Sequence, residues 1–108
     1  MAKKRNLIRK KIIEFYNIIK DKYSVKKVIL YGSYAKGKET PNSDIDVGVV
    51  IDFKKHSKRV ALTAKLFHYA AKIDNRIEPK CIFWDEYNNY DKASILAEII
   101  RTGVDVLL

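Results

Sequence analysis

The chain has 108 residues, 47% hydrophobic and 32% charged, with 22 Lys and Arg against 13 Asp and Glu for a formal net charge of +9. That length reads as one domain, 1–108, with room for one core and one site; no apolar run approaches the roughly 20 residues that span a bilayer, and no secretory leader is expected. The single cysteine, Cys81, excludes an internal disulfide framework and a cysteine-based zinc site and suits a reducing cytoplasm, while the positive balance leaves two readings: attraction to polyanions, or a solvated lysine-rich surface.

Lys3 to Tyr23 reads as a helix, because Ile8, Ile12, Phe15, Tyr16, Ile19 and Tyr23 recur at helical spacing with Lys and Arg between them. The longest basic runs, Lys3-Lys4-Arg5 and Arg9-Lys10-Lys11, lie on it. Lys27 to Tyr31 is a short apolar run of strand formers ended by Gly32. Gly32 to Ser43 is turn-rich. Asp44 to Ile51 is a second strand. The gap before it is too short for a helical crossover, so the two strands pair antiparallel. Ser57 to Asp74 is helical, with Ser57 as N-cap. Arg76 to Trp84 is a third strand, and Pro79 places it at an edge or a bulge. Ala93 to Thr102 is a last helix stopped by Gly103, and Val104 to Leu108 adds a short strand. The fold class is α/β in the α+β sense: a small mixed sheet with helices packed on it.

The Ser57–Asp74 helix carries two apolar stripes. Val60, Ala64, Phe67 and Ala71 fall in one narrow arc at about 100° per residue. Leu62, Leu66, Tyr69 and Ile73 fall in another, about 200° away. A surface helix needs one stripe. The strip of Leu62, Leu66, Tyr69 and Ile73 is therefore expected either under another element of the domain or against another chain, in a homo- or hetero-oligomer. His56 and His68 lack metal-ligand spacing. Trp84, Tyr87 and Tyr90 read as packing of a strand end against the last helix rather than as a base-stacking platform. Cys81 falls on the core side of its strand, an inert position.

Asp44 and Asp46 are the most informative residues. Side chains two apart on a strand point to the same face, about 7 Å apart, while Ile45 and Val47 point into the core. Two such carboxylates can converge on Mg²⁺, which takes oxygen ligands from carboxylates and substrate phosphates. A bare Asp-x-Asp by itself reads first as a turn aspartate plus an edge charge. The preceding loop shifts the balance. Gly32 permits close backbone approach to a ligand, and the Ser33 hydroxyl, Lys36 and Lys38 can meet phosphate oxygens. Gly32 to Lys38 also matches seven positions of the P-loop pattern. The eighth is Glu39, where Mg²⁺ needs a hydroxyl, and Thr40-Pro41 follows where a long helix must begin.

Gly32-Ser33, ten residues, then Asp44-Ile45-Asp46 resembles the signature of the polymerase-beta-like nucleotidyltransferases. The fuller stretch GSYAKGKETPNSDIDVGVV, with the RIEP and SILAEIIRTGVDVL segments, is similar to the minimal nucleotidyltransferases across nearly the whole chain. The resemblance implies transfer of a nucleoside monophosphate, AMP from ATP, to an acceptor hydroxyl. It implies that Asp44 and Asp46 hold Mg²⁺, two ions in all, and that Gly32 and Ser33 hold the triphosphate with Lys36 beside them. Glu78 is implied as the third carboxylate, ligating metal and taking the acceptor proton. Where the family often has Arg, this chain has Lys36, which keeps the charge without the bidentate fork. Glu78 could instead be an exposed carboxylate paired with Arg76 or Lys80. The resemblance further implies a protein acceptor, a helical HEPN-type toxin for which this chain is the antitoxin. A binding module acting by occlusion, and a basic nucleic-acid-binding protein, are the competing readings.

Overall fold

The computed structural model describes the backbone of residues 2–108 and the side chains from Asn6 onward, so the side chains of the Lys3-Lys4-Arg5 run lie outside the described residues. In chain order the elements are α1 (Ala2–Ile19), β1 (Val25–Tyr31), α2 (Ser33–Lys36), β2 (Ile45–Ile51), a 3-10 turn (His56–Lys58), α3 (Arg59–Ala71), β3 (Ile77–Phe83), α4 (Trp84–Asn88), α5 (Ile95–Thr102) and β4 (Val104–Asp105). The strands form one mixed sheet in the order β3-β2-β1-β4. β1 pairs antiparallel with β2, as the short gap requires, and β2 pairs parallel with β3 through the α3 crossover.

β2 is central and is covered on both faces, hence its nearly unbroken apolar run. Its odd-numbered residues Ile45, Val47, Val49 and Ile51 turn to one face, with Val28, Ile77, Cys81 and Phe83. There they meet Ile8, Ile12, Phe15 and Ile19 of α1 and Leu62, Leu66 and Ala70 of α3. Each large side chain fully buried here contributes about 1.5–3 kcal/mol. The opposite face is smaller. Val50 packs with Ile29, Ile82 and Ile99 of α5, and Trp84, Tyr87 and Leu96 close the rim. Helix α5 covers that end, and the rung holding Tyr31 and Asp46 is only partly covered.

β3 is an edge strand, as Pro79 requires, and its own chain closes the edge. Pro79 has no N–H to offer. The Arg59 guanidinium donates to the Cys81 carbonyl at 2.7 Å, and the Phe83 N–H donates to the Glu86 carboxylate at 2.9 Å. An edge satisfied in this way is a poor template for another strand.

Several expectations change. Leu62 and Leu66 are buried, and Tyr69 and Ile73 pack against the same core. α1 and the sheet cover that strip, so it is no oligomer surface, and the stripe of Val60 and Phe67 is the one left in water. Ser57 lies within the 3-10 turn and does not cap α3, which starts after Lys58 without a side-chain cap. α5 begins at Ile95, not Ala93, with Ser94 as its N-cap, the hydroxyl accepting the Ala97 N–H at 3.1 Å. Arg76 belongs to the turn before β3 and Trp84 to α4. Beyond Asp105 the tail is not a strand, although the Val106 N–H still donates to the Val28 carbonyl. No helix among the described residues is long and apolar enough to cross a membrane.

Candidate active site

The site begins with a register. Tyr31 on β1 stands opposite Asp46 on β2, which stands opposite Glu78 on β3. Directly opposed residues of neighbouring strands share a face, so these three form one row across the sheet. Asp44 lies one residue before β2, not inside it as the sequence suggests. It still faces the row. The Asp44 carboxylate acts on both Glu78 and Asp46, raising the pKa of each.

The loop after β1 closes the site from one side. Gly32 has φ 74°, a left-handed conformation that non-glycine residues rarely adopt. A Cβ at Gly32 would also collide with the Asp46 carboxylate. The glycine is therefore needed by the protein itself, before any ligand is considered. Ser33 opens the four-residue helix α2, which Gly37 ends at φ 69°. So short a helix confirms that GSYAKGK is not a P-loop. Tyr34 is buried under this helix and accepts a hydrogen bond from Arg76 at 3.2 Å. Lys36 and Lys38 stay exposed, and among the described residues neither makes an ion pair.

The electrostatics set this spot apart in a chain of charge +9. Burial, then the charge of Asp44, raises the Asp46 pKa. Glu78 is exposed at the surface, yet partial withdrawal from water, then Asp44 and Asp46, raises its pKa too. Tyr31 is pushed up to about 12 by burial, then by Asp46 and Glu78, so its hydroxyl stays protonated. Among the described residues no Lys, Arg or His pairs with any of the three carboxylates. Arg76 does not neutralise Glu78. It donates instead to Asp74 at 2.8 Å, which also accepts from Lys11 at 2.7 Å, and these cations hold Asp74 well below the usual carboxylate range.

The cleft over the row measures about 370 Å³ and is lined by Tyr31, Asp46, Glu78 and Lys80, with Arg59, Thr63 and Phe67 reaching in from α3. Of its lining, the sequence pointed to the two acids. Tyr31 could have been found from its place directly before Gly32, but the α3 residues required the tertiary structure. A larger depression of about 710 Å³ lies over α5 between Tyr90, Ser94 and Arg101. It holds no carboxylate cluster, and its Glu98 is paired with Arg101.

The donor set fits a hard divalent cation. It is all carboxylate oxygen, mutually repelling and uncompensated, a state that a bound cation relieves. Among the described residues no three His, Cys, Asp or Glu side chains are gathered as a finished metal cluster. Mg²⁺ is commonly held by one or two carboxylates and completed by substrate phosphates. Elsewhere the chemistry is quiet. Cys81 is buried, its thiol raised to about 11 chiefly by burial. His56 stacks on Phe83 at 4.2 Å and bonds Asp85 at 3.0 Å. Trp84 stacks on Tyr87 at 5.6 Å within the smaller core, as packing residues do, whereas Tyr90 is 40% exposed.

Comparison with known proteins bears on the family and the fold. The sequence model of the nucleotidyltransferase domain family matches residues 12–102. One protein of Methanocaldococcus jannaschii, named provisionally a protein adenylyltransferase, is 36% identical over 91 residues, covering 82% of this chain and 91% of its own. A second from the same organism, named in the same way, is 37% identical over 89 residues, covering 77% and 82%. The crystal structure of a provisionally named nucleotidyltransferase from Sulfolobus solfataricus superimposes with a TM-score of 0.71 at 15% identity, over 96% of this chain and 83% of that one. A toxin–antitoxin structure with AMP-PNP gives 0.55 at 22% identity, over 91% and 71%. At these identities the two structures speak for the fold.

Proposed function

The chain belongs to the nucleotidyltransferase family, and from that premise we propose that it transfers AMP from ATP to a hydroxyl of a partner protein. The observation that carries this reading is the uncompensated set Asp44, Asp46 and Glu78, opening onto solvent beside Gly32-Ser33. In this reading the three carboxylates hold divalent metal, two Mg²⁺ ions, together with the triphosphate. Bound Mg²⁺ would supply charge stabilisation to the attacking and leaving oxygens.

The chain's own residues do the rest. Gly32 bares its backbone, and the Ser33 N–H and hydroxyl meet phosphate oxygens. Lys36 adds charge from the same loop. The Tyr31 hydroxyl, kept protonated, has a proton to donate to an anionic oxygen in the cleft. The acceptor oxygen bonds to the α-phosphorus as the bond to pyrophosphate breaks, and its proton passes to Glu78. A carboxylate of raised pKa suits that task, because its proton affinity lies nearer the working pH. Asp46 is the more buried of the two and stays a ligand.

The partner proposed is a HEPN-type toxin, with this chain as its antitoxin in the cytoplasm where ATP is held. The names of the two relatives support a protein acceptor, and the fold shared with a toxin–antitoxin structure supports such a partner. The test uses ATP labelled at the α- or the γ-phosphate, incubated with the chain and with proteins of its own cells. Label from the α-position is expected on a protein band and label from the γ-position in pyrophosphate alone. Asp44→Asn/Asp46→Asn should abolish both. Protein labelled from the γ-position, or α-label found only in nuclease-sensitive material, would overturn the reading.

A further inference from the structure

One face of α3 has no partner. Val60 is 82% exposed and Phe67 43%, and Ala64 and Ala71 are exposed on the same arc, opposite the buried Leu62 and Leu66. Exposed apolar residues are common singly. Three features make this stripe more than that.

The first is charge. Residues 53–73 contain no Asp or Glu, while they carry Lys54, Lys55, Lys58, Arg59, Lys65 and Lys72. Among the described residues only Arg59 of these has an ion-pair partner, Glu86. Helical spacing sets Lys65, His68 and Lys72 along one flank of the apolar stripe. The second is position. On the other flank Thr63 and Phe67 line the cleft that holds Asp46 and Glu78. The third is access. The outer edge of β3, which borders the same cleft, is closed by Pro79, Arg59 and Glu86. A partner cannot add a strand there, and the α3 face is the open helix surface that borders the cleft.

We propose that this face of α3 docks the acceptor protein, receiving an acidic amphipathic helix whose apolar side covers Val60, Ala64, Phe67 and Ala71 and whose carboxylates meet Lys65 and Lys72. The proposal rests on the protein-acceptor reading and adds the surface and the chemistry of its partner. A helix laid in this way passes over Phe67, which enters the cleft. A nucleic acid would use the lysines but leave Val60 and the two alanines without a role, since base stacking needs aromatic surfaces.

The test is a displayed library of helical peptides with randomised outer positions, selected on the whole chain at low salt. The competitor is the chain carrying Val60→Glu and Ala64→Glu, two exposed positions outside the cleft where Glu suits a helix. The expected binders are acidic and amphipathic, lose about tenfold or more in affinity for the double variant, and weaken further as salt is added. Calorimetry should give the double variant the Mg²⁺-ATP affinity of the parent chain. A selection that returns no binder, binders without excess acid, or binders indifferent to the two substitutions would overturn the proposal. So would a labelled single-stranded RNA whose binding alone is lost in the double variant. If peptides dock as expected while Mg²⁺-ATP does not bind the parent chain, the docking surface stands and the transfer reading falls.

Discussion

Replacing Gly32 by alanine should break the site while sparing most of the fold. Two costs add at this position. The backbone sits at φ 74° and ψ −150°, a region essentially confined to glycine, where an L-residue costs about 1–3 kcal/mol. The new methyl also meets the Asp46 side chain at its oxygen, Cγ and Cβ together, the last two at 3.1 and 3.3 Å. The carboxylate must therefore swing as a unit, and an off-rotamer side chain costs about 0.5–1.5 kcal/mol more. A total of about 1.5–4.5 kcal/mol lowers the melting temperature of a domain this size by roughly 6–36 °C. Displacing a ligating group by about 1 Å costs on the order of 10²-fold in rate. Circular dichroism follows the fold, and α-labelled ATP follows AMP transfer. Gly37→Asn is the control. It keeps the same sign of φ, at 69°, in a conformation asparagine tolerates, and it does not meet Asp46. Its activity should match the parent chain. A Gly32→Ala protein with unchanged melting temperature and unchanged transfer would refute both the clash and the placement of Asp46.

Three further outcomes follow from the same structure. Asp74→Asn removes a carboxylate that is 8% exposed and holds Lys11 and Arg76, and it should cost about 1–3 kcal/mol by thermal melting. Because the Asp74 pKa is lowered in the fold, its contribution is complete above the ordinary carboxylate range and fades as pH falls towards the lowered value. Asp46 and Glu78 behave oppositely. Their raised pKa values mean that ionisation opposes folding, so Glu78→Gln should raise the melting temperature at neutral pH and lose that advantage once the medium is acid enough to protonate Glu78 in both folded and unfolded chains. Leu66→Glu puts a charge at a fully buried position and should unfold the chain at physiological temperature. A soluble, folded Leu66→Glu protein would return that strip to the surface.

The strands were legible because each carries its own signal: the apolar run of β1, the acid-led run of β2, and Pro79 marking β3 as an edge. The antiparallel β1–β2 pair followed from the short gap alone. Two helices were not legible in the same way. Helix α2 has four residues between two left-handed glycines, too few to show a period, so its glycines read only as a turn. Helix α4 has five residues, and its one signal, Glu86 returning to the Phe83 N–H as in a capping box, was hidden behind Trp84, taken for the end of a strand. Periodicity placed two stripes on α3 but could not rank them. Which one is buried depends on where α1 lies, and nothing within α3 encodes that. The site divides similarly. Asp44, Asp46 and Gly32-Ser33 are close in sequence and announce themselves by spacing. The place of Glu78 beside Asp46 depends on a parallel register, and Phe67 enters the cleft only through the crossover.

The most direct measurement is calorimetric titration of the whole chain with ATP, once with Mg²⁺ and once with EDTA. Three carboxylates without cations repel a triphosphate, whereas cations held between them join the two. ATP should bind with Mg²⁺ and fail to bind measurably with EDTA, and Asp44→Asn/Asp46→Asn should abolish the difference without lowering the melting temperature. Equal ATP affinity with Mg²⁺ and with EDTA would contradict the account.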